Sequence, residues 1–341
     1  MSKVSNYYYE QLNKEQQKVY YAMKNGLLNL EDSIQVLRLS GKELFDIYFM
    51  IRMDCPEIFY TVKFTYKYYP DSVMAEIIPE YLFSKDKIKE HRQAMESRVK
   101  KLIRPAMELD DKGKELYIHD FVCQNVFYDK LKKAYSHEII GALGNGVAVC
   151  EGIAKAVKIL CDALGIWCIV ALSDANPEKG IKYRHAWNVI RINGKFYHMD
   201  ATFDNTLSRG NVLRYDYVNL SDKQIFRDHE PVIWKVPTCD DGDHFYYKEK
   251  KVSWTTVDEV RNRTRQAVKK GKVLLFHWRG GYLTKEVLTE LLEIFTEEAQ
   301  KKDKQAVCSV NWPQAVLRVT FRDGVGEEQV EIEEANEGEK E

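Results

Sequence analysis

Apolar positions recur at helical spacing over residues 14–25 and again over 41–53, so two amphipathic helices are predicted there. The stretch EIFYTVKFTYKYYPDSVMAEIIPEYL is rich in β-branched and aromatic residues on either side of YPDS, which reads as two strands joined by a turn. SKDKIKEHRQAMESRVKKLIRPAM then returns to helical period, with its many charges forming a solvated face. KGKELYIHDFVCQNVFYD reads as a further helix running into a loop, and Gly141, Gly144 and Gly146 mark a flexible approach to residue 150. After about residue 250 the pattern becomes helix, strand, helix, strand, strand, a small α+β unit with no chemical cluster of its own. These shifts predict a helical region with a hairpin at 1–110, a middle domain at 111–250, a small α+β domain at 251–328 and an acidic tail, disordered at its end, at 329–341.

Bulk composition changes this picture little. The 341 residues are 45% apolar and 30% charged, with formal net charge −1, so no global field draws in nucleic acid. No apolar run is long enough for a membrane span, and the start MSKVSNYYYE lacks the apolar core of a signal peptide. A cytoplasmic protein is expected. The seven cysteines are scattered without a CxxC pair, which argues against a disulfide framework or a zinc site.

One cysteine stands apart. From Cys150 onward, Ile153, Ala154, Val157, Leu160, Cys161 and Leu164 follow helical spacing, and Gly165 supplies a stop. Cys150 thus falls at a helix N-terminus, where unpaired N–H groups and the macrodipole favour thiolate over thiol. Taken alone, the segment fits a packed core cysteine as well as a nucleophile. The hairpin RHAWNVIRINGKFYHMDATFDN carries the chemistry further. Asn193-Gly194 is a two-residue turn signal that pairs Ile192 with Lys195 and Val189 with His198. Strand parity then puts His185, Trp187 and Asp200 on one face, with His185 and Asp200 as diagonal neighbours. His198 shares that face and is the rival histidine. Thiol, imidazole and carboxylate are the three parts of activated covalent catalysis. Trp187 is a candidate wall of the site.

The motifs VAVCEGIAKAVKILCDALGI, HAWN and MDATFD resemble those of the transglutaminase-like superfamily, which shares a papain-like cysteine protease fold, in a bacterial-type, compact spacing. The likeness runs over about residues 113–248 and includes HDFVCQNVFYD, YDYVNLSDKQIFRDHEP and WKVPTCDDGDHFYYK; Ile153 stands where members often carry tyrosine. It implies an α+β fold in which a nucleophile helix packs on an antiparallel sheet, with 111–250 as catalytic domain. It implies a triad of Cys150, His185 and Asp200, with no cofactor and no metal. Family members take an oxyanion donor from an upstream side chain, for which Gln124 and Asn125 are candidates beside the Cys150 N–H; helix-end capping is the alternative use of both.

The implied activity is acyl transfer from peptide or side-chain amides through a Cys150 thioester, with a protein or peptide as substrate. Hydrolysis by a protease or amidase is favoured over transglutamination, because no acidic loop has calcium-ligand spacing. A non-catalytic protein-binding module on the same fold is the second reading. A metal site from Cys239, His229, His244 and neighbouring acids is the third, with irregular ligand spacing.

Overall fold

The computed structural model describes residues 6–208, 212–324 and 329–333. The N-terminal part contains α1 (Lys14–Leu28), β1 (Ile34–Leu37), α2 (Gly41–Asp54), β2 (Thr61–Tyr68), β3 (Met74–Tyr81) and α3 (Lys85–Ile103). Asn13 and Ser40 open α1 and α2 as capping boxes, each satisfying N–H groups the first turn leaves orphaned. The two strands expected around the turn are β2 and β3. A third, β1, joins them in the order β1-β3-β2; its four residues are too short to show an alternation in the sequence.

The middle of the chain begins with α4 (Asp111–Asn125), β4 (Phe127–Tyr128) and β5 (Val147–Ala148). It continues with α5 (Cys150–Leu164), β6 (Cys168–Ser173), β7 (His185–Ile192), β8 (Lys195–Met199), α6 (Ala201–Leu207) and β9 (Val218–Leu220). The fold is α+β, with an antiparallel sheet in the order β6-β7-β8-β9. The hairpin register is the one the Asn-Gly turn dictates: Ile192 opposite Lys195 and Val189 opposite His198. Period 2 sorts the strands. Ala186, Ile190, Tyr197 and Met199 share a core with Ile153, Val157 and Leu160 of α5, while Trp187, Val189 and Leu220 join a second core with Phe203 and Tyr217. Asn188 ties helix to sheet by donating from Nδ2 to the Ala154 carbonyl at 2.9 Å.

The glycine-bearing approach to Cys150 is ordered, not a flexible lead-in. Residues Ile140–Asn145 form a π-helical turn. A Cβ on Gly141 would lie 2.6 Å from the Tyr135 carbonyl oxygen and 2.7 Å from that of Val147. Gly141 thus answers to close backbone packing.

Past the short helices α7 (Asp222–Ile225) and α8 (Tyr246–Glu249) come β10 (Ser253–Trp254), α9 (Val257–Lys270), β11 (Leu274–Trp278), α10 (Lys285–Gln300), β12 (Lys304–Asn311), β13 (Val316–Asp323) and β14 (Gln329–Glu333). The acid-rich pattern at 329–333 is therefore not tail but a strand, pairing parallel to β12; ladder hydrogen bonds outweigh its poor strand composition. The rest of that segment, 334–341, lies outside the described residues. No described helix is long and apolar enough to cross a membrane.

One buried core joins the N-terminal part to α5 and its sheet, running from Tyr8 to Val218. A charge cluster crosses the same junction. Arg52 of α2 places Nη2 2.5 Å from Glu138 Oε1 and 2.9 Å from Glu151 Oε1. Lys155 contacts Glu138 Oε2 and Glu151 Oε1, each at 2.8 Å. Burial opposes ionisation of Glu151, but Arg52 and Lys155 beside it hold its carboxyl well below the usual range. Two cations and two carboxylates thus balance in a largely buried region, with His137 also facing Glu151 at 3.1 Å. Removing one partner leaves an uncompensated buried charge, which costs about 3–5 kcal/mol. Arg52→Met should lower the urea-unfolding free energy by that order; a loss below about 1 kcal/mol, the level of an exposed pair, would contradict the assignment.

Candidate active site

Cys150 is the first residue of α5, and Val149 before it has extended backbone. The approach is fixed from both sides. β5 pairs with β4, bringing the end of α4 alongside, and Val149 N–H donates to the Ser136 carbonyl at 3.0 Å. Gly152 packs so closely that a Cβ there would strike the same Ser136 carbonyl. Cys150 Sγ lies 4.0 Å from the carbonyl oxygen of Arg184, the residue directly before His185. The starts of α5 and β7 therefore meet.

His185 opens β7 and directs Nε2 to Asp200 Oδ2 at 2.6 Å. Its ring lies over Trp187, with centroids 5.8 Å apart and planes 18° from parallel. Asp200 ends the paired hairpin and caps α6. Its Oδ1 accepts from Thr202 N–H at 2.8 Å and Phe203 N–H at 3.1 Å. The carboxylate is fully buried, which would by itself raise its pKa; the His185 and His229 rings aimed at it hold it well below the usual carboxylate range instead.

The two histidines of the hairpin have different partners. Trp187 Nε1, which can only donate, sends its hydrogen to His198 Nδ1 at 3.0 Å. His198 Nε2 then donates to Asp222 Oδ1 at 2.8 Å. Both ring nitrogens are thereby fixed, with burial pushing the His198 pKa down. His198 props the tryptophan that supports His185. Trp187, a candidate wall of the site, is 1% exposed, and its one polar atom is taken by His198. It is a buried support under the imidazole.

Gln124 and Asn125, adjacent in sequence, have different surroundings. Asn125 Nδ2 donates to the Phe121 carbonyl at 2.8 Å, the helix-end use of an asparagine. Gln124 is exposed and lines a cavity of about 520 Å³ with Cys123, Val126, Phe127, Tyr128 and Asn205. Cys123 is a second thiol near a histidine, Sγ lying 3.6 Å from His119 Nε2, but burial pushes its pKa up.

Sequence reasoning did not connect His229 to this site. It is fully enclosed, and its Nε2 lies 2.9 Å from Asp200 Oδ2, on the oxygen that His185 also faces. It sits outside any helix or strand, so no periodicity marked it; its one signal was an adjacent Asp-His pair. The metal set of Cys239, His229 and His244 divides among separate partners: His244 pairs with Glu249, and Cys239 N–H donates to Asp222 at 3.2 Å. Two other groups, His185 with Asp200 and His229, and His198 with Asp222 and Cys239, bring possible ligand atoms within 4.8 Å. In both, a histidine nitrogen faces a carboxylate oxygen, at 2.6 and 2.9 Å in the first group and 2.8 Å in the second.

Residues 100–201, which hold Cys150, His185 and Asp200, match the transglutaminase-like superfamily. No curated protein matches the chain. Among solved structures, a TGase aligns at 12% identity and TM-score 0.29 over 53% of this chain and 53% of its own. A protein from Cytophaga hutchinsonii, provisionally named a cysteine protease, aligns at 14% identity and TM-score 0.26 over 41% of this chain and 61% of its own. The chain thus spans between about half and three-fifths of the length of each.

Asp200 has a pH consequence. Its folded pKa is depressed, so the stability it contributes is complete above the unfolded value, about 3.9, and is lost as pH falls through the lower folded value. The urea-midpoint gap between wild type and Asp200→Asn should therefore close from about pH 5 towards about pH 2. A gap that stays constant would show that Asp200 is not held ionised by its histidines.

Proposed function

We propose that the transglutaminase-like segment, residues 100–201, is the catalytic part of a cysteine enzyme that cleaves peptide or side-chain amides through a Cys150 thioester. The observation that carries this reading is the 2.6 Å contact of His185 Nε2 with Asp200, on the strand end that the Cys150 helix terminus reaches. With Nε2 facing the carboxylate, Nδ1 is the nitrogen that exchanges protons with the thiol.

The chemistry follows from that arrangement. Cys150 gives its proton to His185, and the thiolate is favoured by the N-terminus of α5. The sulfur attacks the amide carbon, and the negative charge on oxygen is received by the helix terminus with Gln124 as the side-chain donor. His185 returns the proton to the departing nitrogen, the C–N bond breaks and the thioester remains. A water molecule, deprotonated by His185, attacks the thioester, releasing the carboxylic acid and the Cys150 thiol. Asp200 fixes the His185 tautomer throughout. A primary amine in place of water would make the same site an acyltransferase, and product analysis with added amine separates the two.

Two measurements test the reading. Cys150 should be alkylated by iodoacetamide at about pH 6, well below the ordinary thiol value near 8.5, and His185→Ala should abolish that low-pH reactivity. Occupancy read residue by residue by mass spectrometry keeps Cys123 out of the signal. Reactivity that appears only near the free-thiol value, unchanged in the variant, would leave the fold as a binding module. Separately, on an amide reporter, Gln124→Ala should lower turnover about a hundred- to a thousand-fold, the cost of one oxyanion donor. Asn125→Ala should leave turnover unchanged; the reverse order would move the oxyanion role to Asn125.

A further inference from the structure

The Asp200 carboxylate is shared by two histidines, and the second has its own acid. His229 Nε2 faces Asp200 Oδ2 at 2.9 Å, and its Nδ1 faces Asp228 Oδ1 at 2.8 Å. A ring nitrogen that faces a carboxylate at this distance carries a hydrogen. Both acids are surrounded by donors. Asp200 also accepts two backbone N–H groups and His185. Asp228 accepts the Tyr217 hydroxyl at 2.6 Å and the Gln314 amide at 3.4 Å. Neither acid is placed to hold the proton, so the ring between them carries two.

β7 presents His185 and Trp187 to His229, with ring centroids at 5.2 and 5.0 Å. β8 presents His198, already fixed by Trp187 and Asp222, and its charge coupling to His229 is repulsive. Phe203 and Tyr217 close the remaining faces as rings. The turn between β12 and β13 supplies Gln314, itself 1% exposed, while Asn311 beside it donates to Asp216 at 2.9 Å. Burial disfavours the charged ring, yet the hydrogen bonds to Asp200 and Asp228 raise its pKa.

We propose that His229 is a buried imidazolium that clamps Asp200 between two histidines and limits the basicity of His185. It is a positioning residue, and the C-terminal unit takes part by holding Asp228 through Gln314. A bare buried carboxylate would bind the His185 proton tightly. The adjoining cation offsets part of that charge, so His185 gives its proton more readily to the leaving nitrogen. This consequence rests on the amide-cleaving reading of the site; the protonation state of His229 does not.

Nitrogen NMR of histidine-labelled full-length protein tests it, in a Cys150→Ala background so that no thiolate perturbs His185. Both His229 ring nitrogens should report protonated from about pH 5 to about pH 9, through and beyond the ordinary histidine value near 6.5. In His229→Gln, the His185 midpoint should rise by about one unit, the smaller end of the effect of a charge at this range. Asp228→Asn keeps the ring in place and should move His185 the same way while His229 loses a proton. That variant decides the matter if His229→Gln does not fold. A singly protonated His229 at neutral pH, or an unmoved His185 midpoint in a folded variant, would overturn the proposal. A reactive Cys150 alongside an unmoved midpoint would sink this inference alone. An inert Cys150 alongside a doubly protonated His229 would sink the amide-cleaving reading alone.

Discussion

A fully buried carboxylate needs several donors at once, and the Asp200 side chain obtains them from three parts of the fold. Two are backbone N–H groups of the first turn of α6, so the residue that orients His185 is also a helix cap. One is His185 on the neighbouring strand, and one is His229, 79 residues beyond the start of α5 in a segment with no regular structure. The hairpin register, the start of α6 and the packing of the His229 loop are therefore mutually conditional. Moving any of them leaves an unpaired charge in a closed interior.

The HAWN motif shows how few positions remain for chance when a strand is buried on both faces. His185 faces Asp200, Ala186 makes room against the helix side, Trp187 supports His185 while donating to His198, and Asn188 binds the α5 backbone. Alternate residues serve alternate faces, so one tetrapeptide couples the two cores.

On the other side of α5, the fold answers a different electrostatic requirement. Glu151, adjacent to Cys150, is held ionised by Arg52 and Lys155, and Glu138 completes the balance. The N-terminal part is thus bound to the first turn of α5 by charge as well as by shared apolar packing. The C-terminal unit has its own core, yet its β12–β13 turn reaches Asp216 and Asp228. Both flanking regions make polar contacts one or two residues removed from the site itself.

The sequence by itself determined whatever depends on local period. The helical spacing after Cys150 set α5, Gly165 stopped it in left-handed backbone at φ 78°, and Asn193-Gly194 fixed a register that brought His185 beside Asp200. Turn chemistry and strand parity act within a few residues, so they can be read without the fold. Tertiary structure alone decided the rest. His198 differs from His185 in receiving the Trp187 hydrogen, and Asn125 from Gln124 in bonding a helix carbonyl. The ordered turn before Cys150, the strand in the acidic segment and the His229 clamp all arise from partners distant in sequence. Such choices are made by burial and by the requirement that each enclosed polar atom be paired, and neither is written in the period of the chain.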